Sequence, residues 1–90
     1  MPTKKVSITN ALGLHARPAM TFAERASVFD SDIKVRRADG GDPVDGKSIM
    51  QLLMLAGTKG TELEIIAEGD DAKTALTELA RLVKAGFDED

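Results

Sequence analysis

The chain has no cysteine, tryptophan or tyrosine, and only one histidine and three phenylalanines among its 90 residues. Without cysteine there are neither disulfides nor thiolate ligands, and one histidine is too few for a protein-only zinc site, so no metal and no cofactor are expected. No stretch approaches the ~20 apolar residues of a membrane span, so no membrane insertion is expected. The opening Met1-Pro2-Thr3-Lys4-Lys5-Val6 lacks the apolar core of a secretory signal, and a cytoplasmic location is the expectation. Positive charge is also scarce: twelve Lys and Arg against fifteen Asp and Glu leave a formal charge of −3. A nucleic-acid surface needs a basic stripe and aromatic stacking platforms, so no nucleic-acid partner is expected. Ninety residues make one domain, 1–90, in which about 60% of the unfolded surface is buried, with little room for a deep pocket. A monomer is expected.

What is present is periodic. Val6-Ser7-Ile8-Thr9 alternates at the strand period, as do Asp32-Ile33-Lys34-Val35-Arg36 and Glu62-Leu63-Glu64-Ile65. Asp39-Gly40-Gly41-Asp42-Pro43 reads as a hairpin loop before a brief strand around Val44. Between the strands, Ala19, Phe22, Ala23 and Ala26 recur at helical spacing and predict a helix over about 16–29, with Glu24 and Arg25 off the stripe. Ser48 is placed to cap a short second helix, with Ile49, Leu52, Leu53 and Ala56 inward and Gly57 at its end. Asp70 or Asp71 can cap a third, with Ala72, Ala75, Leu76, Leu79, Leu82 and Val83 inward and Gly86 closing it. The order β-α-β-β-α-β-α has too few helices to cover both sheet faces. It predicts an α+β layer with helices on one face and water on the other.

The chemistry concentrates in Gly13-Leu14-His15-Ala16-Arg17-Pro18-Ala19, which sets the lone histidine at the entrance of the first helix. A helix start offers unpaired N–H donors and the positive end of the macrodipole, and Arg17 adds a forked donor suited to phosphoryl oxygens. Gly13 permits an unusual turn, and Pro18 is tolerated in a first helical turn because no intrahelical N–H is needed there. A lone histidine in an arbitrary chain is more often a surface or capping residue; the convergence of these neighbours makes this one a candidate phosphate site.

This motif, with Gly46-Lys47-Ser48-Ile49-Met50 and Thr58-Lys59-Gly60-Thr61-Glu62, resembles the histidine-containing phosphocarrier family HPr over essentially the whole chain. The resemblance implies an open-faced β-sandwich, a four-stranded antiparallel sheet with three helices on one face. It implies that His15 accepts a phosphoryl group on Nδ1 from phospho-enzyme I of the phosphoenolpyruvate-dependent phosphotransferase system and passes it to enzyme IIA proteins. Arg17 and the amides near Ala16 and Arg17 are then the phosphate-binding groups. The protein is thereby a stoichiometric carrier, not an enzyme. Such a carrier needs an apolar docking patch, for which Ala16, Met20, Ile49, Met50, Leu53 and Met54 are the candidates. From spacing alone Met50 and Met54 read nearly as well as ordinary core or surface methionines.

Serine needs no reason beyond capping to stand at position 48. The resemblance adds that the matching serine is phosphorylated by HPr kinase/phosphorylase in Gram-positive and many other bacteria, with Ile49 and Met50 helping the kinase dock. Gln51 departs from the commonest Gram-positive pattern, which has glycine there. The run Leu52-Leu53-Met54-Leu55 and the end Ala85-Gly86-Phe87-Asp88-Glu89-Asp90 are also similar to the nitrogen-related paralogue NPr, so the sugar and nitrogen branches stay open. Two other classes are weaker: an RNA-binding ferredoxin-like domain lacks aromatics and basic charge, and a small phosphatase lacks a second catalytic base.

Overall fold

The computed structural model describes residues 2–88. The strand with the clearest alternation is its central one. In β4 (Glu62–Glu68), Leu63, Ile65 and Ala67 are buried while Glu62 and Glu68 are exposed. It pairs antiparallel with β1 (Thr3–Ser7) on one side and with β2 (Asp32–Arg37) on the other; β3 (Gly40–Asp45) pairs antiparallel with β2, giving the order β1-β4-β2-β3. Three helices, α1 (Ala16–Ala26), α2 (Ile49–Leu53) and α3 (Ala72–Lys84), and a 3-10 turn at Gly86–Asp88 complete the described residues. The expected four-stranded antiparallel sheet and three helices are therefore present.

Several boundaries differ from expectation. Strand β1 starts at Thr3, not Val6, and ends before Ile8. Only Val6 is buried in it, so its strand character comes from pairing with β4 and not from its own pattern. The hairpin joining β2 and β3 turns through Ala38 and Asp39 alone, and the glycines and proline expected in a loop lie within β3. There the register slips between Val35 and Arg37, an irregularity that Gly41 and Pro43 accommodate on an edge strand. Helix α1 stops at Ala26, three residues short of the expected Phe29.

Helix α2 has only five residues, and of its expected inward stripe Leu52 alone is buried within it. Ile49, Leu53 and Ala56 are exposed instead, while Leu55, just beyond the helix, turns into the core. Ala56, and not Gly57, takes the left-handed conformation after the helix, with φ 52°. Helix α3 presents all six expected residues to the core, together with Ala80. Its cap differs: Asp71 precedes the helix without a capping bond. Its carboxylate accepts from the N–H of Asp30 at 2.9 Å, from the N–H of Ser31 at 3.0 Å and from the Ser31 hydroxyl. These bonds, the Ser31 hydroxyl foremost, hold the Asp71 carboxyl below the usual aspartate range, and they tie the start of β2 to the start of α3.

The core lies between the inner sheet face and the helices, with Phe22, Ile33, Ile65, Leu79 and Leu82 at its centre. Burial of a side chain such as Phe22 contributes about 1.5–3 kcal/mol. The chain reaches the first helix through this core: Leu14 and Ala19, on either side of the helix start, are both buried and act as a hydrophobic staple that fixes the angle of entry.

Candidate functional site

The loop before α1 is built to present His15. Asn10 and Gly13 close a turn, with the Gly13 N–H donating to the Asn10 carbonyl at 3.2 Å and the Asn10 side-chain amide to the Gly13 carbonyl at 2.7 Å. Leu14 then donates its N–H to the Gly57 carbonyl at 2.9 Å, which stitches the loop to the segment after α2. Gly13 takes φ +71°, and a Cβ there would stand 2.4 Å from the Gly57 carbonyl oxygen and 2.8 Å from Thr58 Cα. Only glycine meets both demands.

His15 follows in extended conformation as the N-cap residue of α1 and makes no side-chain capping hydrogen bond. The first intrahelical bond runs from the Ala19 N–H to the His15 carbonyl at 2.9 Å. The helix itself therefore uses neither the Ala16 nor the Arg17 amide, and Pro18, third in the helix, has no N–H to lose. Pro18 does not displace Arg17 from the helix as the general preference would have it. Arg17 is exposed, and its guanidinium forms no ion pair among the described residues. A half-buried imidazole, an exposed guanidinium and two helix-start amides thus lie within the three consecutive residues His15, Ala16 and Arg17.

Helix α1 packs on α2. On α1, Ala16 and Met20 are one turn apart and both exposed; on α2, Ile49, Met50, Leu53 and the adjoining Met54 are exposed as well, Met50 at 78% and Met54 at 75%. All six candidates for the docking patch are therefore at the surface. Leu12, exposed at 75% in the turn that carries His15, was not among the expected patch residues. A large apolar side chain at the tip of a tight turn is the signal that could have found it.

Ser48 caps α2, its hydroxyl accepting from the Gln51 N–H at 3.2 Å. Gln51 reaches back past the cap, its side-chain oxygen accepting from the Asp45 N–H at 2.9 Å, three residues upstream of the Ser48 N–H on which a capping box would close. Lys47 donates its ammonium to the Phe29 carbonyl at 2.8 Å and so binds the approach to α2 to the segment after α1. Among the described residues no group of His, Asp and Glu side chains is arranged to hold a metal ion. None of the described helices is long and apolar enough to cross a membrane.

Comparison with known proteins agrees with this arrangement. The family model described as "PTS HPr component phosphorylation site" matches residues 2–85. The chain belongs to the HPr family of phosphocarrier proteins. It is 43% identical to the phosphocarrier protein HPr of Pseudomonas aeruginosa over 89 residues, covering 99% of this chain and 98% of that one. It is 42% identical to the phosphocarrier protein NPr of Escherichia coli K12 over 85 residues, covering 94% and 93%. The crystal structure of HPr-C-His from Thermoanaerobacter tengcongensis superposes with a TM-score of 0.90 at 38% identity, covering 100% and 99%. The general role of this HPr-family chain is that of a phosphocarrier of the phosphotransferase system.

Proposed function

We propose that His15 carries the phosphoryl group, accepting it on Nδ1 from a phosphohistidine of enzyme I and donating it to a histidine of an enzyme IIA protein. The observation that carries this reading is the start of α1, where the chain's one imidazole caps a helix without spending its side chain on the cap. In the forward step the Nδ1 lone pair attacks phosphorus, a new N–P bond forms, and the old one breaks with its electron pair returning to the donor imidazole. Imidazole leaves one side of the phosphoryl group and imidazole attacks the other, so nucleophile and leaving group are matched and the step runs in both directions. Transfer then depends on alignment and charge stabilisation. The Ala16 and Arg17 amides and the macrodipole of an eleven-residue helix supply fixed positive potential, and the Arg17 fork supplies charge that can follow the moving phosphoryl oxygens.

On this reading the protein is a stoichiometric cytoplasmic carrier and not an enzyme, and the Met20, Ile49, Met50, Leu53 and Met54 surface, with Ala16 at its border, receives successive partners. Flexible thioethers adapt to differently shaped surfaces, which suits one patch serving a donor and several acceptors. Ser48 is the regulatory position, phosphorylated by an HPr kinase/phosphorylase; the modification would replace a cap hydroxyl by a dianion at the edge of that patch. Similarity to both HPr and NPr relatives supports a second reading of the same chemistry, a nitrogen-type regulatory relay with a different enzyme IIA acceptor.

The test is incubation with phosphoenolpyruvate and enzyme I. The unmodified protein is expected to gain one acid-labile, base-stable phosphoryl group, and His15→Ala to gain none, because the chain has no other histidine. Acid-labile label on the folded variant overturns the assignment.

A further inference from the structure

The two borders of the sheet are protected differently. Strand β3 carries Pro43 and an irregular register, both of which obstruct further pairing. Strand β1 has neither. Its ladder with β4 fixes which of its main-chain groups are used: the Ile8 N–H donates to the Thr61 carbonyl at 2.9 Å and the Ala67 N–H to the Pro2 carbonyl at 3.1 Å, in line with the pairs Lys4↔Ile65 and Val6↔Leu63. Alternate residues of an antiparallel strand point these groups toward and away from the partner. Thr3, Lys5 and Ser7 therefore aim their N–H and C=O groups outward, where the sheet has no further strand.

A groove runs along this edge between β1 and α3, with Lys4, Lys5 and Ser7 on one wall and Thr77, Arg81 and Lys84 on the other. Four cations meet a single lining carboxylate, Glu62, in a chain whose overall charge is negative. Arg81 already shares Glu78, its Nη2 lying 2.7 Å from Oε2. Glu64, directly across from Lys5, is held by Arg36 Nε at 2.6 Å. Among the described residues Lys4, Lys5 and Lys84 form no ion pair. Lysines on an edge strand discourage unwanted pairing, and cations in a last helical turn complement the dipole. Neither role requires that both sets open onto one groove beside unpaired main-chain groups.

We propose that this groove binds an acidic, extended segment of a partner protein, which adds to β1 as a fifth strand. Main-chain bonds to Thr3, Lys5 and Ser7 supply the pairing; carboxylates on one face of the added strand meet Lys4, Arg81 and Lys84, and those on the other face meet Lys5. The charges select an acidic sequence and accelerate encounter. The surface uses none of His15, Arg17 or Ser48, so it stands independently of the phosphoryl-transfer reading and would let a partner be held without covering His15.

The test uses the full chain and a labelled peptide of about seven residues, the length of a typical strand, with glutamate at most positions so that both faces of the added strand carry carboxylates. Titration followed by amide NMR is expected to shift Thr3, Lys5 and Ser7 and slow their exchange, with affinity falling as salt rises. Replacing Lys5→Gln and Lys84→Gln together is expected to weaken binding by about tenfold, with thermal stability and phosphoryl acceptance unchanged. No shift on β1 overturns the proposal. So does equal binding by the same peptide N-methylated at alternate main-chain nitrogens, or by inorganic triphosphate, since either shows that charge alone is recognised. Protection of these amides that grows with protein concentration and needs no peptide also overturns it, in favour of a second copy of this chain.

Discussion

The two helices that carry the exposed methionines begin in opposite ways. At α2 the cap is closed: the Ser48 hydroxyl takes the Gln51 N–H, and Gln51 answers by accepting from Asp45. At α1 the cap residue is an imidazole that makes no capping bond, and the next two amides precede the helix's first internal bond. A five-residue helix has too little internal bonding to hold itself together, and needs its cap. An eleven-residue helix stapled by Leu14 and Ala19 can leave its N-terminus to an incoming anion. Where the fold does not need the helix-start amides, chemistry can use them.

The sharpest way to break the comparison is to disturb the loop that holds the open end. Gly13→Ala places a Cβ against the Gly57 carbonyl at a left-handed φ, and is expected to lower unfolding free energy by about 2–3 kcal/mol while displacing His15. Chemical denaturation and the rate of phosphoryl acceptance should fall together. Arg17→Lys is expected to leave stability unchanged and slow transfer by about tenfold in stopped-flow assays with both partners, because an ammonium keeps the charge but not the planar fork. Rates unchanged from those of the unmodified protein in both directions would remove Arg17 from the chemistry.

At the closed end stability and function should separate. Ser48→Ala is expected to cost about 1 kcal/mol in denaturation experiments through the lost cap, with His15 still accepting phosphate. Ser48→Asp keeps a capping oxygen and complements the dipole, so its melting temperature should hold while transfer from enzyme I slows several-fold at low salt and recovers as salt rises. Gln51→Ala is the smallest test: it removes only the side-chain bond to Asp45, for an expected loss of about 0.5 kcal/mol and no change at His15.

Sequence pattern makes some parts of this molecule legible and hides others for physical reasons. The α3 stripe from Ala72 to Val83 and the alternation of β4 are readable because each face of those elements has one environment. The start of α1 is readable because capping, glycine and proline preferences act locally. Helix α2 misleads because its apolar residues point both ways: Leu52 enters the core, whereas Ile49 and Leu53 face outward with Met50, and periodicity cannot separate a buried apolar face from an exposed one. Strand β1 is hidden for the converse reason, since Thr3, Lys4 and Lys5 become a strand only through β4. Gly40, Gly41 and Pro43 look like a loop because an edge strand with a register slip tolerates the residues that loops prefer.

The distribution of sulfur has a consequence of its own. Within residues 2–88 the three methionines, Met20, Met50 and Met54, all stand at the surface, and the chain has no cysteine. Oxidants that convert thioethers to sulfoxides would therefore meet them without opening the fold, and would turn an adaptable apolar patch into a polar one while the core kept its packing. Methionine sulfoxide is reversible by its reductases, so the same protein would pass between a recognised and an unrecognised state with an unaltered backbone and an intact imidazole. The adaptable apolar part of this surface is thus also its oxidisable part.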